Sequence, residues 1–236
     1  MSSKNPPLVN GEIYHVVSRS VGDTSVFDNE KDFYRGIFCI YEFNNDKPVN
    51  IWIRRRNRKV EKKVLGPTSL TLQKRNMFVE VLAFSFMPNH FHLILRQLKE
   101  SGITKFMQKV GTGYAGYFNK KYNRRGHLFN KFRAIHIKDN NQLKNAFVYV
   151  HANLISLFEP GWKEKGVKNS NKIIEFLENN KRHSYMDYLG KKAFPSVTQR
   201  NFYLEFMGGA DGCKQAVDSW VKYKKEIKDW ADIVLE

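Results

Sequence analysis

Two histidines, a tyrosine and an asparagine stand at spacings that could do chemistry. His90 and His92 are two apart in the run Phe84-Ser-Phe-Met-Pro-Asn-His-Phe-His-Leu-Ile-Leu95. In a strand, residues two apart face the same side, so both imidazoles share one face and Phe91, Leu93 and Leu95 take the other. Such a pair can hold a divalent metal ion, but it reads equally well as two surface or hydrogen-bonded histidines. Tyr149 and Asn153 lie in Ala146-Phe-Val-Tyr-Val-His-Ala-Asn-Leu154. Four apart, they share a helix face, whereas His151 sits roughly 200° round from Tyr149. A tyrosine hydroxyl becomes a nucleophile when its surroundings lower a pKa of about 10. An asparagine carbonyl suits Mg²⁺ or Mn²⁺ better than zinc. On spacing alone, an ordinary helix aromatic and a capping residue explain that pair better.

A third signal is charge. The chain of 236 residues carries 40 Lys+Arg against 23 Asp+Glu, a formal net charge of +17. That surplus implies a polyanionic partner, either nucleic acid or an anionic membrane surface. Between Glu100 and Asp139 there is no acidic residue, yet Lys105, Lys120, Lys121, Arg124, Arg125, Lys131 and Arg133 fall there. Tyr114, Tyr117, Phe118, Tyr122 and Phe129 are interleaved with them. Basic groups neutralise phosphates and aromatics stack on unpaired bases, so the interval reads as a single-strand groove, although some of those rings must be core. Arg54, Arg55 and Arg56 open a second basic patch, which could also be a solvated segment.

The elements that must position these groups read as α+β. Strands are expected at 13–19, 78–86, 90–95 and 132–137, with Met87-Pro88-Asn89 as a tight turn. Helices are expected at 28–43, 103–122 (weakened by Gly111, Gly113 and Gly116) and 141–157, the last opened by Asp139-Asn140. Further helical segments are expected near 172–179, 199–207 and 213–230. Residues 44–76 break the pattern and read as a basic insertion. The order predicts helices packed on a small, mostly antiparallel sheet, with a domain at 11–160 and a helical C-terminal extension at 161–236.

No apolar run approaches the roughly 20 residues that span a bilayer, and the first residues lack a secretion signal's apolar core. Two cysteines, far apart, make neither a disulfide framework nor a cysteine zinc site. The expected setting is a reducing cytoplasm, associated with the nucleoid.

In sequence order these pieces resemble the single-tyrosine HUH transposases of the insertion-sequence type, and among them the REP-associated tyrosine transposases. The matching stretches are Tyr14-His-Val-Val-Ser-Arg19, Met87-Pro-Asn-His-Phe-His-Leu93, Gly126-His-Leu-Phe129 with Phe132-Arg133, Tyr149-Val-His-Ala-Asn153 and His183-Ser-Tyr-Met-Asp-Tyr-Leu-Gly190. The resemblance implies a ferredoxin- or RRM-like HUH fold. It implies His90, His92 and Asn153 as ligands of Mg²⁺ or Mn²⁺, and Tyr149 as the nucleophile. The implied partner is single-stranded DNA beside a hairpin (a REP-like palindrome), cut through a 5′-phosphotyrosine link by a monomer or homodimer. Leu154 stands where the family usually has proline, so the helix is expected to continue past Asn153.

Two other readings compete. One is a non-catalytic nucleic-acid-binding regulator on the same fold. The other is a zinc-dependent hydrolase with His15 or His136 as a third ligand; it predicts indifference to Tyr149 and no covalent DNA adduct.

Overall fold

Alternating β-rich runs and amphipathic helices assemble as expected into helices packed on a small antiparallel sheet. The computed structural model describes residues 5–51, 56 and 75–223. Arg54, Arg55 and most of the expected insertion lie outside these residues. The strands are β1 (Ile13–Arg19), β2 (Val79–Phe86), β3 (His90–Gln97) and β4 (Arg133–Ile137), in the order β2-β3-β1-β4, every pair antiparallel. The β2–β3 turn closes with Met87 N–H on the His90 carbonyl at 2.8 Å.

The sheet separates two cores. On one face, Tyr14, Val16, Leu93, Leu95, Phe84 and Phe86 pack against α1 (Glu30–Phe43) and α2 (Gly102–Lys121). On the other, Ile94, Ala83 and Ile137 pack against α3 (Asn140–Ala152) and the C-terminal helices. Asn29 and Asp139 cap α1 and α3, accepting from Asp32 N–H at 3.0 Å and Gln142 N–H at 2.8 Å.

Strict alternation along β2 would put Ala83 and Ser85 on the same face as Val79 and Val81. A bulge between Val81 and Ala83 reverses this. Phe84 and Phe86 therefore enter the first core, and the small Ser85 lies opposite His92.

The glycines that weakened the 103–122 helix on paper do not break it. A Cβ on Gly113 would collide with the Phe43 ring, so this glycine lets α2 press on α1, whereas Gly111 and Gly116 face open space.

The helix expected at 141–157 ends earlier, at Ala152. Without a proline the chain stays in right-handed turns but tightens, with Ser156 N–H on the Asn153 carbonyl at 3.3 Å and Leu157 N–H on that of Leu154 at 2.9 Å. A one-turn helix, α4 (Ile155–Phe158), follows, then α5 (Trp162–Lys165), α6 (Ser170–Asn179), α7 (Tyr185–Tyr188), α8 (Arg200–Met207) and α9 (Gly209–Tyr223). The short turns α5 and α7 carry too few residues to show helical periodicity, and positions 224–230 of the last expected helix lie outside the described residues.

Residues 182–184 line the outer edge of β2, with Phe86 N–H on the Arg182 carbonyl at 2.8 Å and Ser184 N–H on that of Phe84 at 3.0 Å. The C-terminal helices thus share the core behind α3. No described helix is long and apolar enough to cross a membrane.

Candidate active site

The antiparallel register fixes which side chains meet. His92 lies opposite Val17 and Ser85, and His90 opposite Arg19. Both histidines face α3, whose buried stripe brings Tyr149 over them. The Tyr149 ring stands edge-on to His92 at 5.7 Å between centroids and to His15 at 5.6 Å. One turn later, the Asn153 amide nitrogen lies 2.8 Å from His92 Nε2. The rings of His90 and His92 are 5.0 Å apart, inclined at 73°. His90, His92, Tyr149 and Asn153 are therefore brought together, all buried.

Two further contacts set the imidazoles. His92 Nδ1 lies 3.0 Å from His15 Nε2, and His90 Nδ1 lies 2.6 Å from Asn89 Oδ1. A proton on His92 Nδ1, donated to His15, makes Nε2 the lone-pair nitrogen facing Asn153. Burial holds the His92 pKa well below the ordinary histidine value, and the nearby charges of His15, His90, Lys163 and Arg19 push the same way. A neutral imidazole is the form that ligates a metal.

The donors fit a hard divalent ion. A half-turn of the Asn153 carboxamide presents Oδ1 in place of the nitrogen. The 2.8 Å separation from His92 Nε2 is then close to the roughly 3 Å between adjacent ligands of an octahedral ion with bonds of about 2.1 Å. Among the described residues no three His, Cys, Asp or Glu side chains group as a metal cluster, so the fitting set is two imidazoles and one amide.

His136 takes no part. It lies opposite Tyr14, stacks on that ring at 5.0 Å, and is bonded to Glu12 at 2.8 Å, on the sheet face away from His92. His151 points into the second core, with Nε2 2.8 Å from Ser184 Oγ.

The basic residues scatter. Lys105 and Lys120 are exposed on α2, the helix covering the opposite face of the sheet. Lys121 pairs with the buried Asp32 at 2.6 Å, which raises the lysine's pKa. Arg124 braces its own loop, reaching Asn119 Oδ1 at 3.2 Å and the His127 carbonyl at 2.9 Å. Arg125 and Lys131 are exposed in the α2–β4 loop, which meets the end of β1 where Asn130 N–H bonds the Arg19 carbonyl at 2.9 Å. Arg133, opposite Val17, shares the sheet face of His92. Arg56 is exposed. Of the interleaved rings, Tyr114 and Phe118 are core and only Tyr122 is largely exposed. A single groove made of the whole interval is not what the fold builds, because α2 and the histidines lie on opposite faces.

Sequence reasoning weighed His15 only as a third zinc ligand and missed its contact with His92. The alternation of His15, Val17 and Arg19 could have suggested a shared face, but not the partner strand. Ser85 and Lys163 gave no signal, standing outside any spaced pattern.

Residues 49–153 match the family described as IS200-like transposases. No curated protein matches the chain by sequence. Among solved structures, a REP-associated tyrosine transposase bound to a REP hairpin superimposes with a TM-score of 0.52 at 10% identity, covering 84% of this chain and 90% of that one. A bacterial tRNA(His) guanylyltransferase-like protein in complex with ATP, at 10% identity over 78% of this chain and 77% of its own, reaches only 0.35. Residues 49–153 are thus similar to the IS200-like transposases, and the fold is one that a REP-associated tyrosine transposase also has.

Proposed function

We propose that this protein nicks and rejoins single-stranded DNA beside a hairpin, with Tyr149 as nucleophile and His90, His92 and Asn153 as the metal-binding set. The observation that carries the reading is the placement of the Tyr149 ring against His92, with Asn153 one turn beyond at 2.8 Å from the same imidazole. The hairpin beside the cut is suggested by the solved relative, which is bound to one.

The Tyr149 oxygen forms a bond to phosphorus and its proton leaves to solvent. The bond from phosphorus to the 3′-oxygen breaks, and that oxygen takes up a proton. The DNA 5′ end is then joined to tyrosine, and attack by another 3′-hydroxyl reverses the step without an external energy source. Mg²⁺ or Mn²⁺, when bound, supplies Lewis-acid stabilisation of charge on a non-bridging oxygen. His15 holds His92 in the ligating tautomer, and α3 holds Tyr149 over the pair.

The test is covalent capture. The protein is incubated with a library of single-stranded hairpin oligonucleotides and Mn²⁺. A 3′-label should move into a protein-sized band and a 5′-label should not; Tyr149→Phe should abolish the adduct while retaining DNA binding. Cleavage without an adduct would favour metal-bound water as nucleophile, and binding without cleavage would favour a regulator.

A further inference from the structure

Lys163 lies beyond the 49–153 family match and outside every motif discussed above. Its ammonium is 5.9 Å from the centre of the Tyr149 ring. The turn that carries it is anchored from beneath. Trp162 is buried, donates its indole N–H to Ser156 Oγ at 2.8 Å, and meets Trp220 edge-on at 5.2 Å. Gly161 and Gly166, both at positive φ, bracket the turn and allow the chain to enter and leave it sharply. The histidines, Tyr149 and Asn153 are buried, whereas Lys163 is exposed. It is therefore a solvent-exposed cation beside the buried ring of the candidate nucleophile.

Resting on the tyrosine-nuclease reading above, we propose that Lys163 contacts the scissile phosphate, supplying a positive charge beside Tyr149 that the histidines and asparagine cannot. A phosphodiester carries one negative charge, which concentrates on its non-bridging oxygens as the fifth bond to phosphorus forms. A cation already fixed there stabilises that state more than the ground state. The lysine is a compact charge with three donors and can follow the oxygens as the phosphorus inverts.

The test couples the lysine charge to one phosphate charge. An oligonucleotide captured covalently by the wild-type protein is resynthesised with a neutral methylphosphonate at the scissile position. Its affinity is compared with that of the ordinary oligonucleotide in Tyr149→Phe protein, with and without Lys163→Gln. The neutral linkage should weaken binding about five- to tenfold with Lys163 present and less than about twofold with glutamine there. With Tyr149 intact, Lys163→Gln should slow single-turnover cleavage at saturating DNA by about 10- to 100-fold, and Lys163→Arg should recover most of that rate. Because the side chain is exposed, the melting temperature should not move. An adduct with no coupling between residue 163 and the scissile charge overturns this proposal alone. Absence of any adduct with the wild-type protein overturns the nuclease reading and this proposal with it.

Discussion

His15 Nε2 lies 3.0 Å from Nδ1 of His92, joining β1 to β3 through two fully buried imidazoles 77 residues apart in sequence. If this contact sets the ligating tautomer, His15→Ala should weaken Mn²⁺ binding about 10- to 100-fold. His15→Gln, which can still accept the proton of His92, should lose less. Asn153→Ala should also lose less than His90→Ala with His92→Ala, because water can fill a third position but not two. Calorimetry with Mn²⁺ measures all four, and an unchanged affinity in His15→Ala would reduce the contact to packing.

The division of basic residues between sheet faces predicts which of them meet DNA. Reversing Arg125 and Lys131, whose loop meets the end of β1, should lower the slope of log affinity against log salt. Two lost phosphate contacts on a single strand correspond to a change of about 1.4. Reversing Lys105 and Lys120 on α2 should leave the slope unchanged. Fluorescence anisotropy across a salt series separates the two, and a larger effect from the α2 pair would move the groove to the opposite face.

Acid should loosen the C-terminal docking. Burial pushes the His183 pKa down to about 4 and that of His151 well below the ordinary histidine value. Both are disfavoured as cations when folded and ionise near 6.5 when unfolded. Their stabilisation is therefore complete above about pH 6.5 and is lost as the pH falls toward 4, by up to about 1.4 kcal/mol per pH unit for each histidine. The urea midpoint of metal-free protein should fall across that window, and His183→Asn should make the fall shallower. A midpoint flat from pH 6.5 to 4.5 would contradict this account.

Gly113→Ala should destabilise by about 1–2 kcal/mol, since its methyl group meets the Phe43 ring and α1 must shift. Gly116→Ala, in the same helix but facing open space, should stabilise by about 0.5–1 kcal/mol. Thermal denaturation of the two variants gives opposite signs if the helix contact is as described.

Much of the site was legible because it is local. His90 and His92 share a face through strand alternation alone, and the Met87-Pro88-Asn89 turn marks where that strand begins. Tyr149 and Asn153 share a face through helical spacing, and His151 points away for the same reason. The aromatics of residues 114–129 misled because core packing and base stacking use the same side chains; Tyr114 and Phe118 proved to be core.

By itself the sequence determined the types of the longer elements, the order in which they follow one another and, outside the β2 bulge, which side chains within each element look the same way. These depend on backbone periodicities of 2 and 3.6 residues that act over a few neighbours. Only the tertiary structure decided which faces meet. The bulge between Val81 and Ala83 turns Ser85 rather than a phenylalanine toward His92, and β1 carries His15 to the same imidazole. The fold also sends the lysines of α2 to the far face and brings Lys163 to Tyr149. Those relations rest on strand register and on packing between segments tens of residues apart, where one residue of slippage reverses every face.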